Sequence, residues 1–258
     1  MINQQPNLVK SAARTVDIIE YVIKKSPKPP TFSSIQENTG IPKSSLSYLL
    51  QELINKEYLQ YDSDSRTYFP GLALIQMGAI CINNTNISRE IWTGAQKLSE
   101  ELGDTTHAGT LDGRHVVYIA KCQGIKDCSA ITTIGHRIPA HATAIGKVLL
   151  AALEPEEVCL RFQEVKLEQF TPNTIQSYER LLAEIEDVAQ KGFAIDNQEI
   201  IPGGICVAAP ILDKSHKTIA ALSVTMPAIR VSEDFLPEVI AKVREAAHHV
   251  SLRLGRVC

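Results

Sequence analysis

A turn punctuated by glycine and proline, followed at once by a regular apolar stripe, constrains this chain more than any other stretch. In TGIPKSSLSYLLQEL, Thr39 to Leu53, the residues Leu46, Leu49, Leu50 and Leu53 fall at i, i+3, i+4 and i+7. That spacing predicts a helix with one buried face. Pro42 sits near its first turn, where a missing N–H costs nothing. The other face carries Lys43, Ser44, Ser47, Tyr48 and Gln51. Short donors, a cation, an amide and a phenol suit a helix that touches something polar and anionic.

The flanks extend the pattern. Residues 11–25, SAARTVDIIEYVIKK, read as a helix with Val16, Ile19, Val22 and Ile23 on one face. SPKPP stops it, because proline removes an amide donor and crowds the preceding turn. TFSSIQENTG reads as a short second helix, capped by Thr31 or Ser33 and ended by Gly40. In EYLQYDSDSRTYFPG two aromatic-rich runs flank a polar turn, the pattern of a small hairpin. Helix, helix, turn, helix, hairpin is the order of a winged helix-turn-helix, mainly α with a β-hairpin wing. Its third helix enters the major groove of double-stranded DNA, and the tip around Ser63 to Arg66 forms the wing. Ser44, Ser45, Ser47 and Gln51 would then meet base edges, Tyr48 a base or a phosphate, and Lys43 and Arg66 phosphates. The plainer alternative is a solvated helix face in any small helical domain.

Bulk charge does not choose between them. The 258 residues carry a formal net charge of -3. Residues 1–80 hold 8 Lys and Arg against 7 Asp and Glu, and residues 81–258 hold 18 against 22. The front is the less acidic part, but by so little that a DNA reading rests on motif order. With 44% apolar residues the chain can bury a core, and its length suits two modest domains or one large one. None of the 6 cysteines lies in a C-x-x-C pair, and the N-terminal MINQQPNLVK is polar. No apolar run nears the roughly 20 residues of a membrane span. Reduced thiols in a cytoplasmic protein with no membrane partner are the expectation.

LALIQMGAICI and SREIWTGAQKLSEELG read as helices joining the front to the rest. The expected organisation is a reader over 1–71, linker helices over 72–102 and a second domain over 103–258. In that domain THAGTLDGRHVVYIAKC reads as two strands meeting at Asp112-Gly113, and GFAID, ICVAAPIL and TIAALSVTM as further strands. TAIGKVLLAAL, SYERLLAEIEDVAQKG and SEDFLPEVIAKVREAAHHVSLRLG read as helices, and Glu154-Pro155-Glu156 starts a shorter one. Strands mixed with helices on one side predict an α+β domain. Cys122, Cys128, His136 and His141, with His107, form a candidate metal set, but C-x5-C and H-x4-H are not standard zinc spacings. A nucleophilic Cys206 or Cys122 would need a nearby histidine, and no nucleophile elbow, phosphate loop or paired carboxylates accompany either. No catalysis, cofactor or resident metal is expected.

Several long blocks, in order, resemble the IclR family of bacterial transcription regulators. TGIPKSSLSYLLQELINKEYL is similar to the family's T-G-L-P-K-S-T-V helix and the G-Y after it. GHRIPAHATAIGKVLLA resembles G-x-R-x-P-x-H-A-T-A-x-G-K-x-L-L-A. GFAIDNQEIIPGGICVAAPILD resembles G-Y-A-x-D-x-E-E followed by G-x-x-C-I-A-A-P-I-x-D, and AALSVTMPAIR resembles A-A-L-S-V-S-G-P-x-x-R. The resemblance covers nearly the whole chain. It implies an N-terminal winged helix and a C-terminal GAF-like effector-binding domain, working as a homodimer or a dimer of dimers (a tetramer) on palindromic operators. It also implies control by a small metabolite, with short organic, aromatic and sugar acids the family's range. Block by block, the resemblance implies effector contacts at Asp196, Cys206, Ser223 and Thr225, with Ala144 and Ile145 at the start of the AIGK helix. A more poorly matching segment adds Asp127, Ala130 and Ile138. Residues 223 and 225 share a strand face, so two hydroxyls are available to a carboxylate or a sugar hydroxyl. Amides at the start of the TAIGK helix favour an anion. Three departures stand out: Tyr48 where Arg is common, Gln36 where Ala is usual, and Gly204 where Leu is frequent. Tyr48 and Gln36 leave open a ligand sensor with weakened DNA binding, and the cysteines and histidines a metal-responsive regulator.

Overall fold

Leucines spaced for one helix face require a partner surface, and the first unit is built around meeting that requirement. The structure is a computed structural model that describes residues 9–25, 27–84, 86–126 and 132–255. It divides into two units, Met1–Ile82 and Asn83–Cys258. In the first, Leu46, Leu50 and Leu53 of α3 (Lys43–Asn55) are buried with Ile18 and Val22 of α1 (Lys10–Lys24) and Ile35 of α2 (Phe32–Thr39). Leu59 and Tyr68 of a hairpin, β1 (Leu59–Asp62) and β2 (Thr67–Pro70), close the same core. Thr31 caps α2 by accepting the Ser34 N–H, and Gly40 ends it in the left-handed backbone that glycine adopts freely. The Tyr68 N–H donates to Pro30 O at 2.9 Å, and Thr31 bridges Thr67, which ties the hairpin to the entry of α2.

One expected face is corrected. Val16 and Ile23 of α1 are 53% and 48% exposed, while Ile18 and Val22 point inward. The helix carries two overlapping apolar stripes, and packing against α2 and β2 selects between them.

The second unit is a six-stranded antiparallel sheet flanked by helices. Its strands are β3 (Thr105–Asp112), β4 (His115–Cys122), β5 (Arg137–Pro139), β6 (Ala194–Asn197), β7 (Gly204–Leu212) and β8 (Thr218–Pro227), in the order β5-β4-β3-β8-β7-β6. The edge strand β5, only 3 residues long, is an addition to the expected set. Helices cover both faces of the sheet, not one. On one side α5 (Asn86–Leu102) and α9 (Phe235–Arg253) share a core with Ala108, Ala120, Val207, Leu222 and Val224. On the other, α6 (Ala144–Leu150), α7 (Pro155–Phe162) and α8 (Tyr178–Lys191) share one with Val116, Tyr118, Ala194, Ala208 and Ala221. Unbroken apolar runs such as ICVAAPIL have this cause: a strand covered on both faces needs no polar alternation.

Within the span 72–102, expected as linker helices, the two helices are packed differently. Ile91, Ala95, Leu98 and Leu102 of α5 are buried in the second unit's core. Only α4 (Leu72–Asn84) spans the boundary between the units, and it leaves Leu72, Ile75, Met77 and Ile80 exposed. Among the described residues no helix is long and apolar enough to cross a membrane.

Candidate functional site

The leucine stripe fixes which way the rest of α3 points. Lys43, Ser44, Ser47, Tyr48 and Gln51 are exposed, and Ser45 is half-buried at the edge of the core. Tyr48 is 79% exposed, so α3 holds a large ring out to solvent. The Gln51 side-chain amide donates to Asn55 Oδ1 at 2.9 Å. In the wing, Asp62 accepts from the Ser65 hydroxyl at 2.6 Å and from the Asp64 N–H at 2.9 Å. These bonds, the hydroxyl first, hold the Asp62 carboxyl below its usual range, so an ionised side chain keeps the turn tight. Arg66 follows, exposed, with a left-handed φ of 55°.

Strand pairing lays out the second site. Asp196, Cys206, Thr225 and Thr105 stand side by side across β6, β7, β8 and β3. The next row runs Ala194, Ala208, Ser223, His107 and Lys121. Cross-strand neighbours share a face, and Ala194, Ala208 and Cys206 place this one against the core of α6 and α8. Cys206 Sγ and Thr225 Oγ1 lie 3.3 Å apart, and the Ser223 hydroxyl donates to His107 O at 3.5 Å. His107 Nε2 meets Thr132 Oγ1 at 2.8 Å, and Lys121 Nζ donates to Thr132 O at 2.9 Å. The rings of His107 and Tyr118 are 4.8 Å apart. Burial, then the nearby Cys206 and Asp196, push the Tyr118 phenol well above its usual range, so it stays neutral. A cleft of about 120 Å³ opens here, lined by Asp196, Cys206, Thr225 and the turn at 200–204.

A charged cluster lies next to that row. Lys147, 2% exposed on α6, donates to Glu199 Oε1 at 2.5 Å, Glu184 Oε1 at 2.8 Å and Ile195 O at 3.0 Å. Its placement depends on Gly146, where a Cβ would sit 2.0 Å from Ala140 O. Glu199 Oε2 has no hydrogen-bond partner among the described residues. Asp196, 1% exposed, accepts the Glu199 N–H at 2.6 Å. Burial pushes its carboxyl up to about 7, with the repulsion of the Glu199 carboxylate and against the pull of the Glu199 N–H, of Lys147 and of the Ile200 N–H.

The expected contacts separate into groups. Asp196, Cys206 and Thr225 line the cleft, and Ser223 stands one row away. Ala144 and Ile145 are buried in the α6 core, and Ile138 is buried on β5 opposite Val116, so none of the three lines the cleft. Asp127 and Ala130 lie outside the described residues. The Gly146 N–H, one of the helix-start amides expected to favour an anion, is already bonded to Thr143 Oγ1 at 3.1 Å. Gly204 lines the cleft, and a Cβ there would meet Ile201 O at an ordinary 3.6 Å. The glycine is therefore not forced by crowding, and it leaves room. His107, Tyr118, Lys121, Lys147 and Glu199 are additions to the expected set. A lysine inside the apolar run AIGKVLLAAL is a sequence signal for a buried partner.

The candidate metal set is not brought together among the described residues. Cys122 pairs with Thr106 and His107 with Lys121, so the strand alternation sends Cys122 and His107 to opposite faces. His141 Nε2 is instead bonded to Glu168 O at 2.9 Å, and Cys128 lies outside the described residues. Among the described residues no group of three His, Cys, Asp or Glu side chains is placed to hold a metal ion.

Known proteins match both units. The family described as bacterial transcriptional regulator IclR C-terminal matches residues 79–252, and the IclR helix-turn-helix domain matches residues 11–63. The chain is 32% identical over 254 residues to the HTH-type transcriptional regulator KdgR of Dickeya chrysanthemi, covering 98% of this chain and 83% of that protein. It is 32% identical over 248 residues to the HTH-type transcriptional regulator XynR of Escherichia coli K12, covering 96% of this chain and 98% of that one. In fold it is similar to an IclR homolog from Microbacterium hydrocarbonoxydans solved in complex with 4-hydroxybenzoate. That similarity has a TM-score of 0.80 at 20% identity, over 95% of this chain and 98% of that one. A winged helix-turn-helix ahead of an α+β domain, both matched in order along the chain, places this protein in the IclR family of bacterial transcriptional regulators, with a regulatory rather than an enzymatic role.

Proposed function

We propose that this regulator reads a palindromic operator through α3 and the wing, and that an organic, aromatic or sugar acid bound at Asp196, Cys206 and Thr225 controls it. The observation that carries the second part is the row of polar side chains on the sheet face that packs against the apolar core of α6 and α8, opening on a cleft. Pockets join apolar walls to a few convergent polar groups in this way. At about 120 Å³ the cleft suits a short acid or one end of a longer one. The homolog bound to 4-hydroxybenzoate supports an acid as the ligand class. The exposed apolar side chains of α4 favour a homodimer, with tetramers as pairs of dimers, and a dimer matches a palindromic site. Such a regulator works in the cytoplasm, on an operon for breaking down the compound sensed.

Ligand shifts a regulator only through unequal affinity for two arrangements. The lever is α4, the one helix that runs from one unit into the other. Half-sites stand about one turn apart, roughly 34 Å, so a small change in the spacing of two recognition helices breaks register. The test is fluorescence anisotropy with the promoter beside the protein's own gene, with and without candidate acids. Ser223→Ala is expected to weaken the response to acid and to leave operator affinity intact; equal loss of both would count against this division of labour. Lys43→Ala is expected to weaken binding to all duplexes and lower the salt slope by about one. An unchanged slope would remove Lys43 from the phosphate contacts.

A further inference from the structure

The cluster beside the cleft holds more carboxylates than cations. Lys147 supplies one ammonium, and Glu199 and Glu184 already share it at 2.5 and 2.8 Å. Asp196 stands at the cleft with no hydrogen bond to that ammonium; it accepts from the backbone N–H groups of Glu199 and Ile200. The groups that face it are Glu199 from the turn after β6, Lys147 from α6, Cys206 from β7 and Tyr118 from β4. Only one of these is a cation, and the Glu199 carboxylate is already short of partners at Oε2. An ionised Asp196 would therefore repel the anionic end of any acid entering the cleft, while a neutral one offers it an O–H donor.

We infer that Asp196 is protonated whenever the cleft holds an organic acid, so that each acid binds as its anion together with one proton. The inference rests on the effector site proposed above and deepens it, by adding what the site asks of its ligand: a carboxylate that accepts from the Asp196 O–H. The balance is simple. One proton leaves bulk water and stays on the Asp196 carboxyl, the ligand keeps its charge, and no covalent bond between protein and ligand forms. Burial, which raises this carboxyl to about 7, makes the proton available near neutral pH. Acids that carry a hydroxyl near the carboxylate gain further partners in Thr225 and Cys206.

The test uses the full chain and three probes that stay ionised across the range, pyruvate, D-gluconate and 4-hydroxybenzoate. Calorimetry in buffers of different ionisation heat counts the protons. Binding that needs a neutral group titrating near 7 weakens about tenfold between pH 6 and pH 8, with close to one proton taken up at pH 8. Asp196→Asn keeps the acceptor for the Glu199 N–H and an N–H donor for the ligand, so it is expected to bind with no proton uptake and a flat pH profile. Carbon-13 NMR of the Asp196 carboxyl, with no acid present, is expected to show half-protonation near neutrality. Binding without proton uptake, or a carboxyl that titrates like an exposed aspartate, overturns this inference and leaves the effector site standing. Failure of all three probes to bind at pH 6 overturns the effector site, and the inference with it.

Discussion

The two faces of the six-stranded sheet are covered alike by helices, yet adjacent residues on the same strands meet different demands. Toward α5 and α9 the strands present Ala108, Ala120, Val207, Leu222 and Val224, a mostly apolar set packed on the helices, joined by a buried Thr106 whose hydroxyl donates to Ala95 O at 2.7 Å. Toward α6 and α8 they present Asp196, Cys206, Ser223, Thr225 and His107 among alanines. Burying those polar groups costs free energy that the hydrogen bonds only partly return. A sheet whose sole purpose was stability would have made both faces like the first. The difference marks the second face as the one arranged around something else, and it is legible residue by residue in the pairs Leu222 and Ser223, or Val207 and Cys206.

The contrast can be broken at several points. Lys147→Ala should cost the most, about 3–5 kcal/mol, because it leaves the Glu199 carboxylate buried without its cation. Chemical denaturation measures this, and a loss below about 1 kcal/mol would mean that the cluster relaxes into solvent. Leu222→Ala should cost about 2–5 kcal/mol, and its neighbour Ser223→Ala about 1 kcal/mol or less, since one opens a cavity and the other removes a long hydrogen bond. Similar losses at the two positions would erase the proposed difference between the faces. Asp196→Asn should produce a pH-dependent effect of the opposite sign. A carboxyl raised from 3.8 to about 7 on folding is neutral in both states below pH 4 and contributes nothing there. Between those values the unfolded chain ionises and the folded one does not, so native stability falls as pH rises and levels off above pH 7. The Asn variant lacks this loss, and should be more stable than the native chain by at least about 1 kcal/mol at pH 8 but not at pH 4. Parallel stability curves for the two would place Asp196 in water.

Much of this was readable from the residues, where local chemistry decided the outcome. The α3 stripe, the Thr31 cap, the Gly40 stop and the Asp112-Gly113 turn are short-range signals, and the structure has each of them where the residues place it. The face of α1 was not readable, because Val16 and Ile23 are as apolar as Ile18 and Val22, and only a tertiary partner distinguishes them. Strand β5 is too short for any period to show. The lining of the cleft was half readable. Family blocks carried Asp196, Cys206 and Thr225, which line one cleft, but also Ala144 and Ile145, which are core. Tyr118, Lys147 and Glu199 join the site through strand register and through a helix that approaches at Gly146, and neither is written in any single stretch of sequence.

The tie between the wing and the entry of α2 bears on how the front unit meets a duplex. With Tyr68 bonded to Pro30 and Thr67 bridged to Thr31, the hairpin is anchored to the entry of α2, the helix that leads through Gly40 into α3. The interval between the charges at Lys43 and Arg66 is therefore set in advance, like the teeth of a gauge. If Lys43 and Arg66 meet phosphates as proposed, a duplex whose groove does not fit that gauge would itself have to bend or widen, and part of the choice among sites would be made by the stiffness of base-pair steps that no side chain touches.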